Sequence, residues 1–473
     1  MNKRMRQGIG TSIGMVILLT AFTLAVIPDS VSARTWTVNS NGGGDFTTIS
    51  SAVAASTTGD IIQVQPGSGY SENVNVNVAV TIIGVGGRPN VSPQSQNSPV
   101  FYVTSTGVTI EHLEIDGQNA PSVDGIKSVA TAGEGNSVYF KDLIIYYCAY
   151  GVWIGPLSGT YPTCNYVENS TIYENSLDGV KIVSHPNPST ESQKGYHHVR
   201  ECSIYDNNQN GVYISGDWNT IRNPDFHDNL RGVFIDGDWN NLIGVTGIEG
   251  SSHEIYDNIR EGVHAVGDDL LIESYDDDLE IYSNGVTGYD GLYLDGDDAT
   301  IEDCYVYQNG GNGIQLYTCN YCDVQHMNTY QNGGSGVYFY NSDNNDLLNV
   351  DSDDDTYGMF LNLSDSNEIE GCDFYYLDIA IKSVGSQDND YFGYIQDDVL
   401  GDINYCVEAI NATYFGTTNS TGRIKNYDIN SGTGIYIEGI DGNNTSYFEW
   451  YTIPNESNLT KTLIYAIWQK KQF

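Results

Sequence analysis

Charged side chains recur at two fixed distances from a repeated glycine in the middle of the chain. They stand one residue before the glycine or two residues after it, and the candidates for catalysis are Lys181, Arg231, Glu261, His264 and Asp290. Two carboxyl groups on neighbouring repeats suit glycoside hydrolysis, which needs a separation of about 5–5.5 Å for retention and a wider one for inversion. We therefore predict a catalytic group here, with ordinary surface ion pairs as the alternative.

A second acidic series follows the same glycine by six residues. Its members on four successive repeats are Asp217, Asp238, Asp268 and Asp297, and the seventh position of the next three repeats holds Asn320, Asp343 and Asp365. Carboxylates spaced about 5 Å apart repel each other by about 0.8 kcal/mol per pair even in bulk water. Clustered carboxylates are ligands that Ca²⁺ prefers. The series predicts calcium sites, and the alternative is a set of solvated turns, where Asp is common.

Aromatic residues form further series at fixed distances from the glycine. A flat apolar ring beside Asp and Asn is suited to carbohydrate recognition, whereas ladders of rings also stabilise sheets. The residues predicted to bind carbohydrate are Trp153, Tyr213, Trp218, Phe234, Trp239 and Tyr293. Another aromatic series contains Tyr173, Tyr205, His227, Tyr256, Tyr282, Tyr307 and Tyr330. Because side chains alternate along a strand, we expect these series to face away from the interior.

One cysteine motif has the spacing of metal ligands. The segment "CNYC" at 319–322 is followed by His326, and Cys304 belongs to the same repeat. A zinc site is one interpretation of this spacing. A turn disulfide or free thiols in the core are the interpretation that we prefer.

The elements that position these residues follow from an internal repeat. Segments such as "STIYENSLDGVKI", "CSIYDNNQNGVYI" and "CYVYQNGGNGIQL" share an aromatic residue, an Asn, a turn and a Gly that opens an alternating apolar strand. The shortest spacings between successive glycines are 21 to 23 residues. Short strands with Gly/Asn/Asp turns and no helical period cannot bury a face alone, so they must stack. The repeat predicts an all-β, parallel β-helix.

Stacking places equivalent residues of successive coils about 4.8 Å apart. The recurring asparagines should then form a ladder of side-chain amides along the stack, as in other stacked strands. The members of this series are Asn175, Asn207, Asn229, Asn258, Asn284, Asn309 and Asn332.

The repeats resemble those of right-handed parallel β-helix proteins, the pectate-lyase-like superfamily, and especially its secreted archaeal and bacterial sugar-associated members. The opening segments "GDFTTISSAV" (44–53) and "PGSGYSENV" (66–74) are similar to the first coil of that group and of pectinesterases. The likeness covers about residues 35–440, and "YFEWYTIP" (447–454) is similar to the segment that closes such helices. It implies one solenoid of about twelve coils, about 60 Å long, with a cap at each end.

The resemblance also bears on chemistry. Lyases of this fold combine calcium-binding carboxylates with an Arg or Lys base. The later motifs of pectinesterases are absent from this sequence, so Asp45 and its neighbours are expected to form a cap rather than a catalytic site. Copper-associated periplasmic β-helix proteins share the repeat pattern, but five Met and scattered His predict no copper site.

Composition and the N-terminus indicate export. The net charge of −42 and the pI of about 4.1 disfavour nucleic acid and anionic lipid as partners, and favour cations or neutral polymers. Basic residues precede an apolar stretch at 13–27 and a small-x-small site at 31–33, which is typical of a secretory signal. We expect no membrane span in the mature chain, and eight cysteines fit an oxidising compartment. Nine Asn-x-Ser/Thr sequons, several beyond residue 410, are candidate glycosylation sites.

The predicted organisation has four segments. Residues 1–33 are the signal peptide, 34–100 the N-terminal cap and first coils, 101–410 the β-helix repeats, and 411–473 the closing segment and tail. Three functions remain open for a secreted or cell-surface protein of this kind. The first is binding of a polysaccharide or surface glycan, or a structural role. The others are a polysaccharide lyase or glycoside hydrolase, and a calcium-dependent adhesion or assembly module.

Overall fold

The computed structural model describes most of the chain between residues 33 and 395. The described residues are 33–130, 137–155, 164–184, 196–245, 253–275, 279–375, 377, 379–384, 386, 389–392 and 394–395, together with the strands at 405–410, 423–424, 434–438, 447–449 and 465–467. The predicted signal peptide, apart from residue 33, and most of the predicted closing segment and tail lie outside them. The described part contains no helix with the length and hydrophobicity that would span a bilayer.

The chain winds into one parallel β-solenoid of about 13 turns, which confirms the predicted fold class. Most turns contribute one strand to a sheet of 15 strands, called sheet 1 here, and two short strands to a sheet of 26 strands, called sheet 2. At His198–Tyr205 and Thr220–His227 one longer strand replaces the two short ones. The first turns lack the repeated glycine: the sheet 1 strands at 74–76 and 101–103 follow Asn73 and Val100.

The strands are short, as a repeat of 21 to 23 residues requires. Sheet 1 consists of Val74–Val76, Phe101–Val103, Ile126–Ser128, Val152–Ile154, Val180–Val183, Asn210–Ser215, Arg231–Asp236, Val263–Val266, Leu292–Asp295, Ile314–Tyr317, Ser335–Tyr340, Tyr357–Asn362, Ile379–Val384, Tyr405–Ile410 and Gly434–Glu438. Sheet 2 consists of Thr35–Val38, Ile61–Val64, Tyr70–Ser71, Thr81–Gly84, Asn90–Ser92, Thr109–Glu111, Glu114–Asp116, Val138–Lys141, Ile144–Tyr146, Asn165–Glu168, Thr171–Tyr173, His198–Tyr205, Thr220–His227, Asn241–Val245, Glu254–Tyr256, Leu271–Tyr275, Leu279–Tyr282, Thr300–Glu302, Cys304–Tyr307, Asp323–Gln325, Asn328–Tyr330, Asp346–Leu348, Asp351–Asp353, Glu368–Glu370, Phe374–Tyr375 and Asp390–Phe392. Two small pairs complete the described strands: Tyr394–Ile395 with Arg423–Ile424, and Tyr447–Glu449 with Tyr465–Ile467.

A helix at Ile49–Ala55 covers the N-terminal end, where a cap was expected. The Thr48 side chain accepts a hydrogen bond from the Ser51 backbone N–H at 3.2 Å, and the Glu72 carboxylate accepts from Ile49 and Ser50 at 2.9 Å each. These acceptors satisfy N–H groups that a helix leaves without internal partners. The apolar face of the helix is buried, so the opening segment is structural.

Alternation along each strand separates the core from the surface. In Val152–Ile154 the two aliphatic side chains are fully buried while Trp153 points outward and is half-buried. The same pattern recurs in Val180–Val183 and Leu292–Asp295. Because the strands pair in exact register, the inward residues form continuous stacks of Val, Ile and Leu through the solenoid.

The predicted asparagine ladder is confirmed. Asn258 is fully buried, and its backbone N–H and side-chain amide both donate to Oδ1 of Asn284 on the next turn, at 3.1 and 2.9 Å. Its own Oδ1 accepts from the Asn229 backbone at 3.0 Å. The ladder begins at the Cys148 backbone N–H and ends on the Asp355 carboxylate. Each amide therefore connects its own turn to both neighbouring turns.

A second ladder occupies the turn that follows sheet 1. Asn219 donates to Asn240 at 2.9 and 3.0 Å, and Asn345 donates to Asn367 in the same way at 2.9 Å. Between these two stretches the aligned residues are Leu270, Ala299 and Cys322. This interruption hid the second ladder from the sequence analysis.

Replacing Asn258 by Ala tests the first ladder. The change removes the acceptor of the Asn229 backbone N–H and the donor to the carbonyls of Phe226 and Tyr256, all in the interior. We expect a loss of about 3 kcal/mol or more in the free energy of unfolding, because unpaired buried polar groups cost about 1–3 kcal/mol each. Urea unfolding followed by circular dichroism measures it. The control is exposed Asn208→Ala, and equal stability of the two variants would contradict a structural ladder.

Asp355 makes stability depend on pH. Burial raises the pKa of its carboxyl from 3.8 to about 6, although Asn332, Ser352 and Thr329 donate to it. The folded state therefore binds this proton more tightly than the unfolded state, and the stability that the group contributes is lost as pH rises through 6.

An Asp355→Asn variant should continue the ladder without that charge. We expect it to be more stable than the parent at pH 8 by up to about 3 kcal/mol, and the advantage to shrink by about 1 kcal/mol at pH 5. Urea unfolding at the two pH values measures this difference. Exposed Asp354→Asn is the control, and a constant difference across pH would disprove the assignment to Asp355.

Candidate functional site

The candidate catalytic residues and four of the predicted carbohydrate-binding residues lie together on the outer face of sheet 1. The middle outward residues of successive strands stand in register and form what we call the outer row. Its members are Lys127, Trp153, Lys181, Tyr213, Phe234, His264, Tyr293, Gln315, Tyr338, Phe360 and Lys382. A parallel row three residues earlier, which we call the flanking row, contains Asp124, Tyr150, Asp178, Asn210, Arg231, Glu261, Asp290 and Asn312.

The repeated glycine between the two rows is required by close packing. A Cβ on Gly179 would lie 2.4 Å from Cγ2 of Ile204 and 2.8 Å from the carbonyl oxygen of Gly211 on the next turn. Such distances do not occur between real side chains and backbone, so any larger residue would push two turns apart. The glycine thereby fixes the backbone on which both rows stand.

Four rings stack face to face in the centre of the outer row. Tyr213 and Phe234 have centroids 5.3 Å apart, Phe234 and His264 5.1 Å, and His264 and Tyr293 4.5 Å. Their planes are tilted by 13° or less. Since each ring is covered by its neighbours, the stack presents ring edges to solvent. These rings therefore present edges rather than the flat faces on which the predicted carbohydrate recognition relied.

Trp153 has a different environment, because cations flank it. Nζ of Lys127 lies 3.3 Å from the indole centroid and Nζ of Lys181 lies 5.8 Å from it. The Lys181 ammonium also donates to the Tyr150 hydroxyl at 3.2 Å. The ammonium groups of Lys127 and Lys181 are stabilised by cation–π attraction to the indole and by the nearby acids Asp124 and Asp178.

The other predicted aromatic residues lie elsewhere. Trp218 and Trp239 stack at 4.9 Å in the turn after sheet 1, both with positive φ, and Trp239 is 39% exposed. The aromatic series that runs from Tyr173 to Tyr330 forms a continuous stack on sheet 2. The stack is extended by one ring at Tyr146, and neighbouring centroids are 4.4 to 5.3 Å apart. Glu114 accepts from Tyr146 at 2.5 Å and Glu280 accepts from Tyr307 at 2.5 Å, so this stack stiffens the sheet.

Glu261 stands at the centre of the charged residues. Its Oε2 accepts from Nε of Arg231 at 2.7 Å, and its Oε1 lies 3.7 Å from Nδ1 of His264. Although burial raises the pKa of the carboxyl, the hydrogen bonds from its neighbours and the nearby guanidinium outweigh burial and lower this pKa to about 2. Glu261 is consequently ionised at every pH at which the protein is expected to function.

Asp290, on the next turn, has the opposite behaviour. It is buried, and burial raises the pKa of its carboxyl to about 6 despite hydrogen bonds from the Asn312 backbone and side chain at 2.7 and 2.9 Å. The charge of Glu261 adds to this rise. Two carboxyl groups on adjacent turns thus have well-separated pKa values, which is the arrangement that distinguishes an acid from a base in one site.

The sequence analysis missed two residues of this face. Asp124 and Lys127 flank Gly125 at the same two positions as the predicted catalytic residues. Burial raises the pKa of the Asp124 carboxyl to about 6 and lowers that of the Lys127 ammonium. Gly125 opens the glycine series, so applying the positional rule to the first repeat would have found both.

Three buried polar atoms on this face have no hydrogen-bond partner. They are Nε1 of Trp153, Oδ1 of Asn210 and Nδ1 of His264, out of nine such side-chain atoms among the described residues. Buried polar atoms in proteins are almost always paired, so unpaired ones need an explanation. Successive members are two turns apart, or about 10 Å. A single small molecule could not reach all three.

The predicted calcium series forms a ladder of its own. Oδ1 of Asp217 accepts from the Asp238 backbone N–H at 3.0 Å, and Asp238 accepts from Asp268 at 2.9 Å. Asp268 accepts from Asp297 in the same way at 2.9 Å. These bonds give the carboxylates a structural role in the turn. Calcium binding by this series stays a prediction.

The cysteine motif does not assemble a zinc site. Cys304, Cys319 and Cys322 are buried in the core, and none of the seven described cysteines forms a disulfide. His326 lies outside the core, 3.5 Å from Glu302. Of the two interpretations kept for these cysteines, the described structure has free core thiols.

The fold and the outer row define a parallel β-helix repeat protein. Residues 244–424 match the family model described as "NosD: Periplasmic copper-binding protein (NosD)". A search of curated proteins gave no match to this chain.

Several solved structures match this chain at low identity. Pectate lyase Pel9A is 17% identical, with a TM-score of 0.34 over 67% of this chain and 76% of that one. The A-module of the mannuronan C-5 epimerase AlgE4 from Azotobacter vinelandii is 13% identical, with a TM-score of 0.30 over 83% and 90% of the two chains. Tailspike protein 2 of Escherichia coli O157:H7 bacteriophage CAB120 is 14% identical, with a TM-score of 0.36 over 71% and 40%.

Proposed function

We propose that this protein is exported and binds a linear polysaccharide along the outer face of sheet 1. The observation that carries the proposal is the part of the outer row from Trp153 to His264, whose partly exposed side chains stand in register on five successive strands. Together they span four turns, or about 19 Å. An extended polymer that runs parallel to the solenoid axis can reach all of them, whereas a compact ligand cannot.

The chemistry of the face suits sugar hydroxyl groups. A hydroxyl both donates and accepts, so it can pair with the Lys181 ammonium, the Tyr213 hydroxyl or the Gln315 amide of the outer row. The edges of the stacked rings from Tyr213 to Tyr293 supply further contacts between these positions. Lys127 and Lys181 add donors beside the one indole whose surroundings are cationic rather than aromatic.

Retention of the purified mature chain on immobilised polysaccharides tests this proposal. We expect wild-type protein to be retained by at least one polymer of a neutral and acidic panel, and Tyr213→Ala to bind it at least 10-fold more weakly. Tyr213→Ala removes a partly exposed hydroxyl and also one ring of the stack with Phe234. Thermal unfolding of the variant must therefore accompany the binding measurement.

Exposed Gln331→Ala on the opposite sheet is the matched control, and its retention should equal that of wild type. Retention on no polymer, or equal binding by a folded Tyr213→Ala variant, would refute the proposal.

A second candidate function is cleavage of the bound polymer. It is favoured by the pair Glu261 and Asp290, whose pKa values of about 2 and about 6 suit an ionised group and a proton donor. The two residues stand on adjacent turns, which are spaced about 4.8 Å apart. This spacing is near the separation of about 5–5.5 Å between the two carboxyl groups of retaining glycosidases. In this mechanism Asp290 protonates the leaving oxygen while Glu261, held by Arg231, faces the sugar carbon.

Release of reducing ends measures this activity. We expect Asp290→Asn to lower the rate at least 100-fold, since a general acid contributes about 10²–10⁴-fold. The wild-type rate should fall as pH rises above 6, because the acid loses its proton there. Asp124→Asn is the matched control: it stands at the same position of the first repeat, with a similar pKa. Equal rates in the two variants would remove Asp290 from the mechanism.

The family that matches residues 244–424 is described as copper-binding. Among the described residues of this range, the sulfur-containing side chains are not placed to form a copper centre. Thiolates and thioethers are the ligands that select Cu(I). In the matched range the described sulfur-containing side chains are all buried in the core. They are Cys304, Cys319, Cys322, Met327, Met359 and Cys372. A copper centre built on sulfur is not part of the proposed function.

A further inference from the structure

An imidazole and two carboxylates converge at a corner between the two strands of sheet 2. Glu302 ends one strand, Asp303 forms the one-residue corner after it, and His326 forms the same corner on the next turn. Asp303 and His326 both have positive φ, at 57° and 52°. The corner therefore points both side chains outward from a rigid, left-handed backbone position.

The distances in this cluster differ from those of an ordinary ion pair. His326 Nδ1 lies 3.5 Å from Glu302 Oε1 and 3.7 Å from Asp303 Oδ1, and the three atoms are within 4.8 Å of one another. His112 and His227 meet a carboxylate in direct hydrogen bonds, at 2.6 and 2.8 Å, whereas His264 lies 3.7 Å from one oxygen of Glu261. His326 instead stands between two oxygens at nearly equal distances, without touching either.

Such a spacing is that of ligands around a common ion. Zinc binds nitrogen and oxygen ligands at about 2.0–2.2 Å, which in tetrahedral geometry places the ligand atoms about 3.3–3.6 Å apart. The measured separations of His326 from the two carboxylates are close to this range. The three side chains are 35% to 49% exposed, so an ion can enter and water can complete its coordination.

The electrostatics of the corner favour a cation. At the equivalent corner near the N-terminus, Asp142 binds both His112 and Arg88, so a guanidinium neutralises it. Around Glu302 and Asp303 the described residues include no Lys or Arg partner, and Glu273 stands beside Glu302 on the preceding turn. The two carboxylates have only the His326 imidazole beside them and, among the described residues, no Lys or Arg that offsets their negative charge.

We propose that Glu302, Asp303 and His326 bind a divalent transition ion of the Zn²⁺ or Cu²⁺ type. The donor set decides the class, because imidazole nitrogen suits Zn²⁺ and Cu²⁺ whereas Ca²⁺ takes six to eight oxygen ligands. An ion here links two successive turns, and so it stabilises the stack by mass action. The site lies on sheet 2, away from the outer row, and does not depend on the proposed polysaccharide binding.

Calorimetric titration of the untagged, chelator-treated protein with Zn²⁺ and with Cu²⁺ tests the site. We expect His326→Ala to weaken binding at least 10-fold and to abolish the metal-induced rise in melting temperature. With Cu²⁺, electron paramagnetic resonance should show coupling to one imidazole nitrogen, and His326→Ala should remove that signal. A Glu302→Gln/Asp303→Asn double variant should lose binding as well.

The matched control is His112→Ala, which alters the equivalent corner where Arg88 is present. It should bind metal as wild type does. Absence of wild-type binding, unchanged binding by a folded His326→Ala variant, or displacement of the ion by Ca²⁺ at equal concentration would overturn the proposal.

Discussion

The hydrogen bond from one asparagine to the equivalent asparagine on the next turn is the constraint on which the rest of the structure depends. In the ladder from Asn175 to Asn332, each amide satisfies polar groups of its own turn and its neighbours. A shift of register by one residue would bury unpaired amides at every turn, which is too costly for the fold to tolerate. The ladder therefore fixes the register, and a fixed register makes every position of the repeat into a straight row on the surface.

The arrangement of side chains in rows determines which groups on this surface are accessible and which are covered. Identical spacing of about 4.8 Å lets aromatic residues stack on each other, which stiffens the sheets but covers the ring faces. What remains accessible is a line of edges, hydroxyls, amides and charges, as in the outer row from Lys127 to Tyr293. Such a line matches an extended chain better than a compact molecule, and this is the physical basis of the proposed polysaccharide binding.

Packing charged groups in rows also determines their protonation. The protein carries a net charge of −42, yet its acids are not equivalent. Arg231 holds Glu261 in its ionised form, whereas burial raises the pKa of Asp290 on the next turn to about 6. The carboxylates of the Asp217 series accept hydrogen bonds from backbone N–H groups along their own ladder. At the corner of Glu302 and Asp303 the acids have His326 within 3.7 Å but, among the described residues, no Lys or Arg partner. Environment rather than residue type thus separates structural from reactive carboxylates.

The sequence by itself determined the fold class, the asparagine ladder and the membership of most rows. A repeat of 21 to 23 residues can only be accommodated by stacking, so position in the repeat translates directly into position on the surface. It could not show the second ladder, because Leu270, Ala299 and Cys322 interrupt its pattern, nor could it show that stacked rings hide their faces. Only the tertiary structure decided that Cys319 and Cys322 point into the core while His326 meets Glu302 and Asp303, because the direction of a side chain at a corner depends on the left-handed backbone there.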